Sequence, residues 1–430
     1  LNVLKEKGIF AFICSNKFAK AKYGEKLRKL ILENQLKIYY DFTGVKVFKE
    51  ASVDTCVIQI KKDFKNDNEI YVDNNYYLKQ KLLNKNSFTF KSPEVLNLRD
   101  KILSLGIPLK DLDVKINRGV LTGFNKAFII DEETKNRLIK EDSNNKEIIK
   151  PILRGRDINK WKILYKKLYL IYIPWNFNID NHVSIKKYLI NFKNDLSNRP
   201  EVINNRYEWY CMSRYAADYV DLFEKEKIVY STIAPEPRFA YDNKKHFMLD
   251  SGFILTSESI NLKYLIALLN SKLLFWYFKD ICYSLNKKGF QYKKIFVDQL
   301  PIKFTESNNE KQLEDIIIKI LDLNEKFISE INLFKLFLIN DLKINKFSKK
   351  LEEYYKLTTE EFLEELKKQK VNIKDINIKS NAINCYEKSC NDIKELNSEI
   401  TSLESMMNNL IYKIYELNES EIEIIENIDI

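Results

Sequence analysis

Gly8-Ile-Phe-Ala-Phe-Ile-Cys14 is a continuous apolar run of the length that suits a buried strand. Behind it, Asn16 to Glu33 carries apolar residues at helical spacing, and Leu36 to Phe42 and Ser52 to Ile60 read as two more strands. Strands alternating with a helix within ninety residues are α/β patterning. Three strands and one helix do not close a doubly wound sheet, so residues 1–91 are expected to form an incomplete α/β domain.

Working outward, the pattern changes near Ser92. Residues 92–305 read as short strands and turns, with Gly119, Gly123, Gly155 and Gly252 as turn points. Ile163 to Pro174, Lys227 to Ile233 and Phe253 to Leu255 are expected as strands and Tyr264 to Lys279 as one helix, giving a mixed α/β domain. All nine glycines precede Phe290 and the last proline is Pro301, so residues 306–430 contain no helix breaker and are expected to be an all-α tail or bundle. In it Ile393, Leu396, Ile400, Leu403, Met407, Leu410, Ile414 and Leu417 alternate steps of three and four, the seam of a coiled coil. That seam pairs either with the apolar helix Leu313 to Leu338 of the same chain or with a second copy. Ser420 and Glu423 fit a capping box for a last short helix.

Composition narrows the function. The six cysteines form no CxxC pair and only His182 and His246 accompany them, so neither a zinc site nor a disulfide framework is expected; reduced thiols suit the cytoplasm. Two histidines leave little material for His-based nucleophilic catalysis. No apolar stretch approaches a membrane span, and no membrane partner is expected. The net charge of +10 is unevenly spread: residues 301–430 hold 18 Lys and 26 acids, a balance of −8, whereas residues 1–300 stand at +18. An AT-rich genome accounts for the 61 lysines. It does not account for nine of the ten arginines lying between Arg99 and Arg238. A basic body with an acidic tail points to a polyanion partner for the body.

Four clusters carry candidate chemistry. Arg118-Gly-Val-Leu-Thr-Gly-Phe-Asn-Lys126 places Asn125 and Lys126 near a tight turn, where amide and ammonium groups reach base edges or phosphates; an ordinary polar hairpin turn reads equally well. In Leu153-Arg-Gly-Arg-Asp-Ile-Asn-Lys-Trp161, Arg154, Arg156 and Asn159 suit a loop that grips phosphate or reads guanine, with Asp157 orienting one guanidinium. The plainer alternative is a structural Arg–Asp pair. Arg206, Tyr207, Trp209 and Arg214 interleave aromatics with cations, as nucleic-acid surfaces do and as protein interfaces also do. Arg238, and Lys287, Lys288 and Tyr292 in a lysine-rich run, complete the set; lysine runs are more often solvated surface.

Together these segments resemble a family. Gly119-Val-x-Thr-Gly-x-Asn-x-Ala-Phe128, Leu153-x-Gly-Arg-Asp-Ile158, Leu268-Leu-Asn-Ser-Lys272 and Gln299-Leu-Pro-Ile302 resemble the specificity domain of TaqI-like N6-adenine DNA methyltransferases and of single-chain type II restriction-modification enzymes. Gly8 to Phe18 and Lys22-Tyr-Gly-Glu-Lys-Leu-Arg28 are similar to the half of the family's Rossmann-like catalytic domain that follows the catalytic motif. Ile411 to Asn418 and Ile422 to Glu426 are similar to its C-terminal end. The resemblance implies that Phe48 stacks on the flipped target adenine, since an aromatic face restores stacking that an extruded base loses; a core residue opening a strand is the other reading of Phe48.

The departures matter as much. The family's glycine-containing S-adenosylmethionine loop and its Asn-Pro-Pro-aromatic motif are absent, and no Pro-Pro pair occurs. The resemblance therefore implies a target-recognition chain with no catalytic residue and no metal of its own. Double-stranded DNA and a catalytic half, in cis or in trans, are its implied partners. S-adenosylmethionine would serve the intact enzyme and is not expected to bind this chain alone. The alternative is a stand-alone specificity subunit whose helical tail docks a separate catalytic chain.

Overall fold

The structure is a computed structural model that describes residues 1–48, 54–65, 67–73, 75–83, 85, 88–282, 285 and 289–427. It is mixed α/β with an all-α C-terminal region, as the sequence implies. Two compact units, Leu1–Ser104 and Leu105–Ile430, make up the chain. Among the described residues, no helix is long and apolar enough to cross a membrane.

The first unit is a five-stranded sheet. β1 (Ile9–Ser15), β2 (Gln35–Asp41), β3 (Thr55–Lys61), β4 (Glu69–Val72) and β5 (Tyr76–Lys79) lie in the order β1-β3-β2-β4-β5. Only the β2–β4 pairing is parallel. Helix α1 (Glu25–Leu32) buries Ile31 in a core with Leu36, Ile58, Ile60, Ile70, Val72 and Leu78.

Two expectations fail here. β1 is an edge strand of the described sheet rather than a buried one: Ile9, Phe12 and Ile13 are exposed, because the strand has β3 as its one neighbour. Apolar continuity cannot distinguish an edge from a centre. The helix expected from Asn16 is instead two 3-10 turns, Asn16–Ala19 and Lys22–Gly24, before α1 begins. The buried Arg28 guanidinium explains how that irregular path is kept, since it donates to the carbonyls of Phe18, Ala21 and Lys85. Ser52 and Val53, the expected start of β3, lie outside the described residues.

In the second unit, β6 (Lys115–Arg118), β10 (Lys227–Ser231), β11 (Phe239–Asp242) and β13 (Gly252–Thr256) form an antiparallel sheet ordered β11-β10-β13-β6. A second sheet, ordered β12-β8-β9-β7, holds β7 (Ile129–Ile130), β8 (Ile149–Leu153), β9 (Tyr169–Ile171) and β12 (Phe247–Met248). The sheets share one core, in which Ile152, Leu170 and Phe128 of the short helix α2 (Asn125–Phe128) join Val229 and Ile254. The strand expected over Ile163 to Pro174 shrinks to β9. Lys167, at φ +50°, turns the chain just before it.

The helix expected over Tyr264 to Lys279 is two helices, α3 (Leu262–Leu269) and α4 (Lys272–Ile281). Asn270 breaks them by bonding both the N–H and the C=O of Phe239, at 3.1 and 2.9 Å, and Ser271 caps α4 through Leu274 N. Beside this sheet an ion cluster is sealed from solvent. Lys227 Nζ lies 2.8 Å from Asp242 Oδ2, and His246 Nδ1 lies 2.8 Å from Asp242 Oδ1. Burial alone would raise the Asp242 carboxyl, but His246 and Lys227 hold it below the usual carboxylate range. His182 is structural too, bonding Asn145 Oδ1 at 2.9 Å.

The tail is an intramolecular hairpin. α5 (Ser307–Asn340) and α7 (Ile376–Ile414) pack side by side, antiparallel: Phe334 meets Tyr386 at the far end, while Tyr415 donates to Pro301 O at the near end. Ile393, Ile400, Met407 and Ile414 of the seam are buried, and the alternate leucines are half-buried. At the far end an insert with α6 (Thr359–Lys368) packs Tyr354 and Phe362 on Phe334. The last helix, α8 (Glu419–Glu426), is capped by Asn418 with Glu421, not by Ser420 with Glu423.

Candidate nucleic-acid interface

Two of the candidate loops meet at one short turn, Leu249-Asp-Ser-Gly252, between β12 and β13. The Arg118 segment is laid against it through Gly119 N to Gly252 O (3.0 Å), Val120 N to Met248 O (2.8 Å) and Asp250 N to Val120 O (2.8 Å). This requires glycine at 119, where a Cβ would overlap the Leu249 carbonyl. Arg118 itself is exposed, and its Nε donates to Asp250 O at 2.9 Å.

The second arginine loop reaches the same turn from another direction. Gly155 N donates to Ser251 Oγ at 2.9 Å, and Thr232 N to Ser251 O at 3.0 Å. Within that loop the two arginines divide their work. Arg154 forms a two-pronged fork on buried Asp157, Nε to Oδ2 at 2.9 Å and Nη2 to Oδ1 at 2.7 Å, and Asp157 also accepts from the Arg154 backbone. The structural reading thus holds for Arg154. Arg156 is exposed, and no partner for it exists among the described residues. Asn159 is half-buried and closes a turn through its backbone with Lys162.

The aromatic cluster is tied to the first loop. Leu121 and Arg214 exchange backbone hydrogen bonds, both 2.9 Å, which leaves the Arg214 side chain exposed. Arg199, which sequence reasoning left out of the site, is the clamp. It is 6% exposed and donates to Thr122 O, Leu196 O and Trp209 O. Its guanidinium packs between the Tyr207 and Phe128 rings, and burial pushes its pKa down. Gly123, at φ +79°, lets the chain turn beside it. Asn125 accepts from Thr122 Oγ1 at 2.6 Å, and Lys126 is exposed one residue on. Arg206 is exposed, with its guanidinium 5.3 Å from the Trp175 ring, and Trp209 is half-buried under Lys193.

Two expected contact residues are interior. Tyr207 stacks on Trp175 and bonds Ser213 Oγ at 2.9 Å; Tyr292 is buried against Phe278, its hydroxyl without a hydrogen-bond partner among the described residues. Composition reveals that aromatics accompany arginine, not which of them turn inward. Arg238 is half-buried beside Glu236, at 3.4 Å. Lys287 and Lys288 lie outside the described residues. Phe48 belongs to the other unit and is exposed in the loop after β2, whose Thr43 and Gly44 are held by Asp41 and Asp54. Among the described residues, no group of His, Cys, Asp or Glu is arranged to hold a metal.

The turn Leu249–Gly252 thus gathers loops that lie 132 and 96 residues upstream of it in sequence. Beside it stand Arg118 and Arg156, and Arg214 is tied to the first loop through its pairing with Leu121; all three are exposed cations on side chains long enough to reach a phosphate or a base edge.

Three stretches of the chain match known families. Residues 150–302 match the TaqI-like C-terminal specificity domain, residues 1–48 the Eco57I restriction-modification methylase, and residues 306–411 a domain of unknown function, DUF8810. A relative, the type II methyltransferase M.BstVI of Geobacillus stearothermophilus, is 21% identical over 386 residues. That alignment takes in 77% of this chain, and the chain spans 65% of the relative's length. Among solved structures, the type IIL restriction-modification enzyme MmeI in complex with DNA is 12% identical at a TM-score of 0.44, covering 95% of this chain and 50% of its own. The type IIG restriction endonuclease BpuSI is 13% identical at 0.36, over 73% of this chain and 42% of its own.

Proposed function

We propose that this chain, whose residues 150–302 match the TaqI-like C-terminal specificity domain and whose relatives include a type II methyltransferase, recognises a short sequence in duplex DNA. The observation that carries this reading is the meeting of the Arg118, Arg156 and Arg214 loops around Leu249–Gly252 with their cations exposed. Such a surface binds in two ways. Lysine and arginine charges neutralise phosphates and give a salt-sensitive affinity common to all duplexes. A planar fork such as Arg156 can satisfy guanine N7 and O6 together, which discriminates one base from another by about 1–3 kcal/mol. Arg154 cannot serve this way while its fork is taken by Asp157.

Within the intact enzyme the target would be adenine N6, with Phe48 stacked on the extruded base and the catalytic half supplied in cis or in trans. S-adenosylmethionine is the methyl donor of such enzymes. No glycine loop or Asn-Pro-Pro-aromatic segment of that family's pattern occurs here, so no residue of this chain is assigned to the cofactor or to the transfer.

The test is a binding selection against a randomised duplex pool at roughly 0.15 M salt, where non-specific binding is weak. One enriched motif containing an adenine is expected. Arg156→Ala should then weaken the enriched site by about tenfold relative to a scrambled duplex. Equal loss on both would demote Arg156 to a phosphate contact, and recovery of DNA with no common motif would sink sequence recognition by this chain.

A further inference from the structure

The helical hairpin grips the recognition loop at several points. Four residues that follow the Arg154–Asp157 turn each contact it. Lys160 Nζ lies 2.7 Å from Glu404 Oε1 of α7, and the same oxygen accepts the Trp161 indole N–H. Lys162 Nζ stands 3.5 Å above the Phe327 ring of α5, and Lys166 Nζ lies 2.8 Å from Glu352 of the insert. Three separate parts of the hairpin therefore hold one short stretch of chain.

Backbone geometry shows what the hold resists. Trp161 sits at φ +68°, a region that a large side chain enters only when its surroundings force it. The residue is 3% exposed, and its backbone N–H donates to Phe239 O at 3.1 Å. The conformation is passed back toward the arginines. Asn159 and Lys162 close a tight turn, Leu164 N donates to Asp157 O at 2.8 Å, and Asp157 N donates to Arg154 O at 2.9 Å. A released Trp161 would leave the far limb of this loop free to relax, and Arg156 stands at its crest.

We propose that the hairpin of α5 and α7 is a brace for the recognition loop, and that Glu404 is a positioning residue for Arg156. Residues 306–411 thereby set the direction from which Arg156 approaches DNA, and make no base contact themselves. The role of Glu404 rests on reading Arg156 as a base-reading group. The brace itself can be tested without DNA.

In the full chain, Glu404→Leu removes both the indole acceptor and the charge facing Lys160, whereas Glu404→Gln keeps the acceptor. Hydrogen exchange of amides 154–164 should accelerate by about tenfold or more in Glu404→Leu, with the α5 and α7 amides unchanged, and should stay near wild type in Glu404→Gln. On the duplex motif recovered by selection, Glu404→Leu should lower the ratio of cognate to scrambled affinity by about tenfold while the scrambled affinity holds. Glu404→Gln should restore most of that ratio.

Unchanged loop exchange in Glu404→Leu overturns the brace. Accelerated exchange with cognate and scrambled affinities falling in parallel overturns the positioning of Arg156. If wild type selects no motif, the recognition reading fails, and the exchange measurement still decides the brace. Should Glu404→Leu not fold, Trp161→Phe removes the indole donor and is judged by the same two readouts.

Discussion

The loop cluster around Leu249–Gly252 and the α5–α7 hairpin are built on different physics. In the loop cluster, backbone groups bond to partners far away in sequence, Gly119 to Gly252 and Gly155 to Ser251, and side chains such as Arg156 and Arg214 are left over for other work. In the hairpin the relation is reversed: the backbone satisfies itself inside each helix, and side chains such as Phe334, Ile393 and Met407 are consumed by packing. A surface that must recognise something needs unspent side chains. A support needs spent ones.

Substitutions can break or sharpen that contrast. The largest effect is expected at the sealed ion cluster on β10 and β11. Asp242→Ala strands Lys227, whose remaining partners are the carbonyls of Phe223 and Lys225, and should cost about 3–5 kcal/mol in urea unfolding. A loss below about 1 kcal/mol would mean that water reaches Lys227 and that the body is less tightly sealed than its burial implies. The same carboxyl sets an acid limit. Its folded pKa lies below the unfolded value of about 3.9, so its contribution is complete above that value and is lost as pH falls through the folded pKa.

Phe334→Ala should follow at about 3 kcal/mol, because its ring is 3% exposed and meets Tyr354, Phe362 and Tyr386 at once. If the hairpin is a support, this variant loosens the insert and leaves the affinity for scrambled duplex DNA as it was. Affinity for every duplex collapsing with it would erase the distinction between the two regions.

The smallest effect lies where they join. Burial lowers the Lys162 ammonium from its ordinary value to about 8, with Glu404 partly opposing and Lys356 adding to the shift. The unfolded chain then binds more protons than the folded one between about pH 8 and the ordinary lysine value near 10.4, so this group adds stability as pH rises through that window. Lys162→Met should remove that rise. Parallel pH curves for the two proteins would show that Lys162 is freely hydrated and that the junction is open.

The same contrast decides what a sequence can reveal. The hairpin is legible because its signal is local and repeated: the seam from Ile393 to Leu417 and the absence of glycine after Gly289 suffice for two long helices. Its intramolecular partner, Leu313 to Leu338, is one of the two partners that the seam allows. The body is legible in class but not in detail, since strands of two to five residues carry too few periods to fix their ends. The turn Leu249–Gly252 is invisible as a hub, because its meaning comes from residues 96 and 132 positions upstream. That Asp157 orients one guanidinium of its loop is readable from the sequence; that it takes Arg154 and leaves Arg156 is not. That Tyr207 and Tyr292 face inward is not, because their surroundings are assembled only in three dimensions.

The division of labour between Arg154 and Arg156 has an evolutionary consequence. The turn that carries position 156 is fastened by its neighbours: Arg154 and Asp157 to each other, Gly155 to Ser251. The side chain at 156 takes no part in those bonds, so most replacements there should leave stability within about 0.5 kcal/mol. Under the proposed base-reading role of Arg156, a single codon change alters which base is read while the fold takes no notice. New specificities would be reachable by drift through stable intermediates, without first passing through a damaged protein.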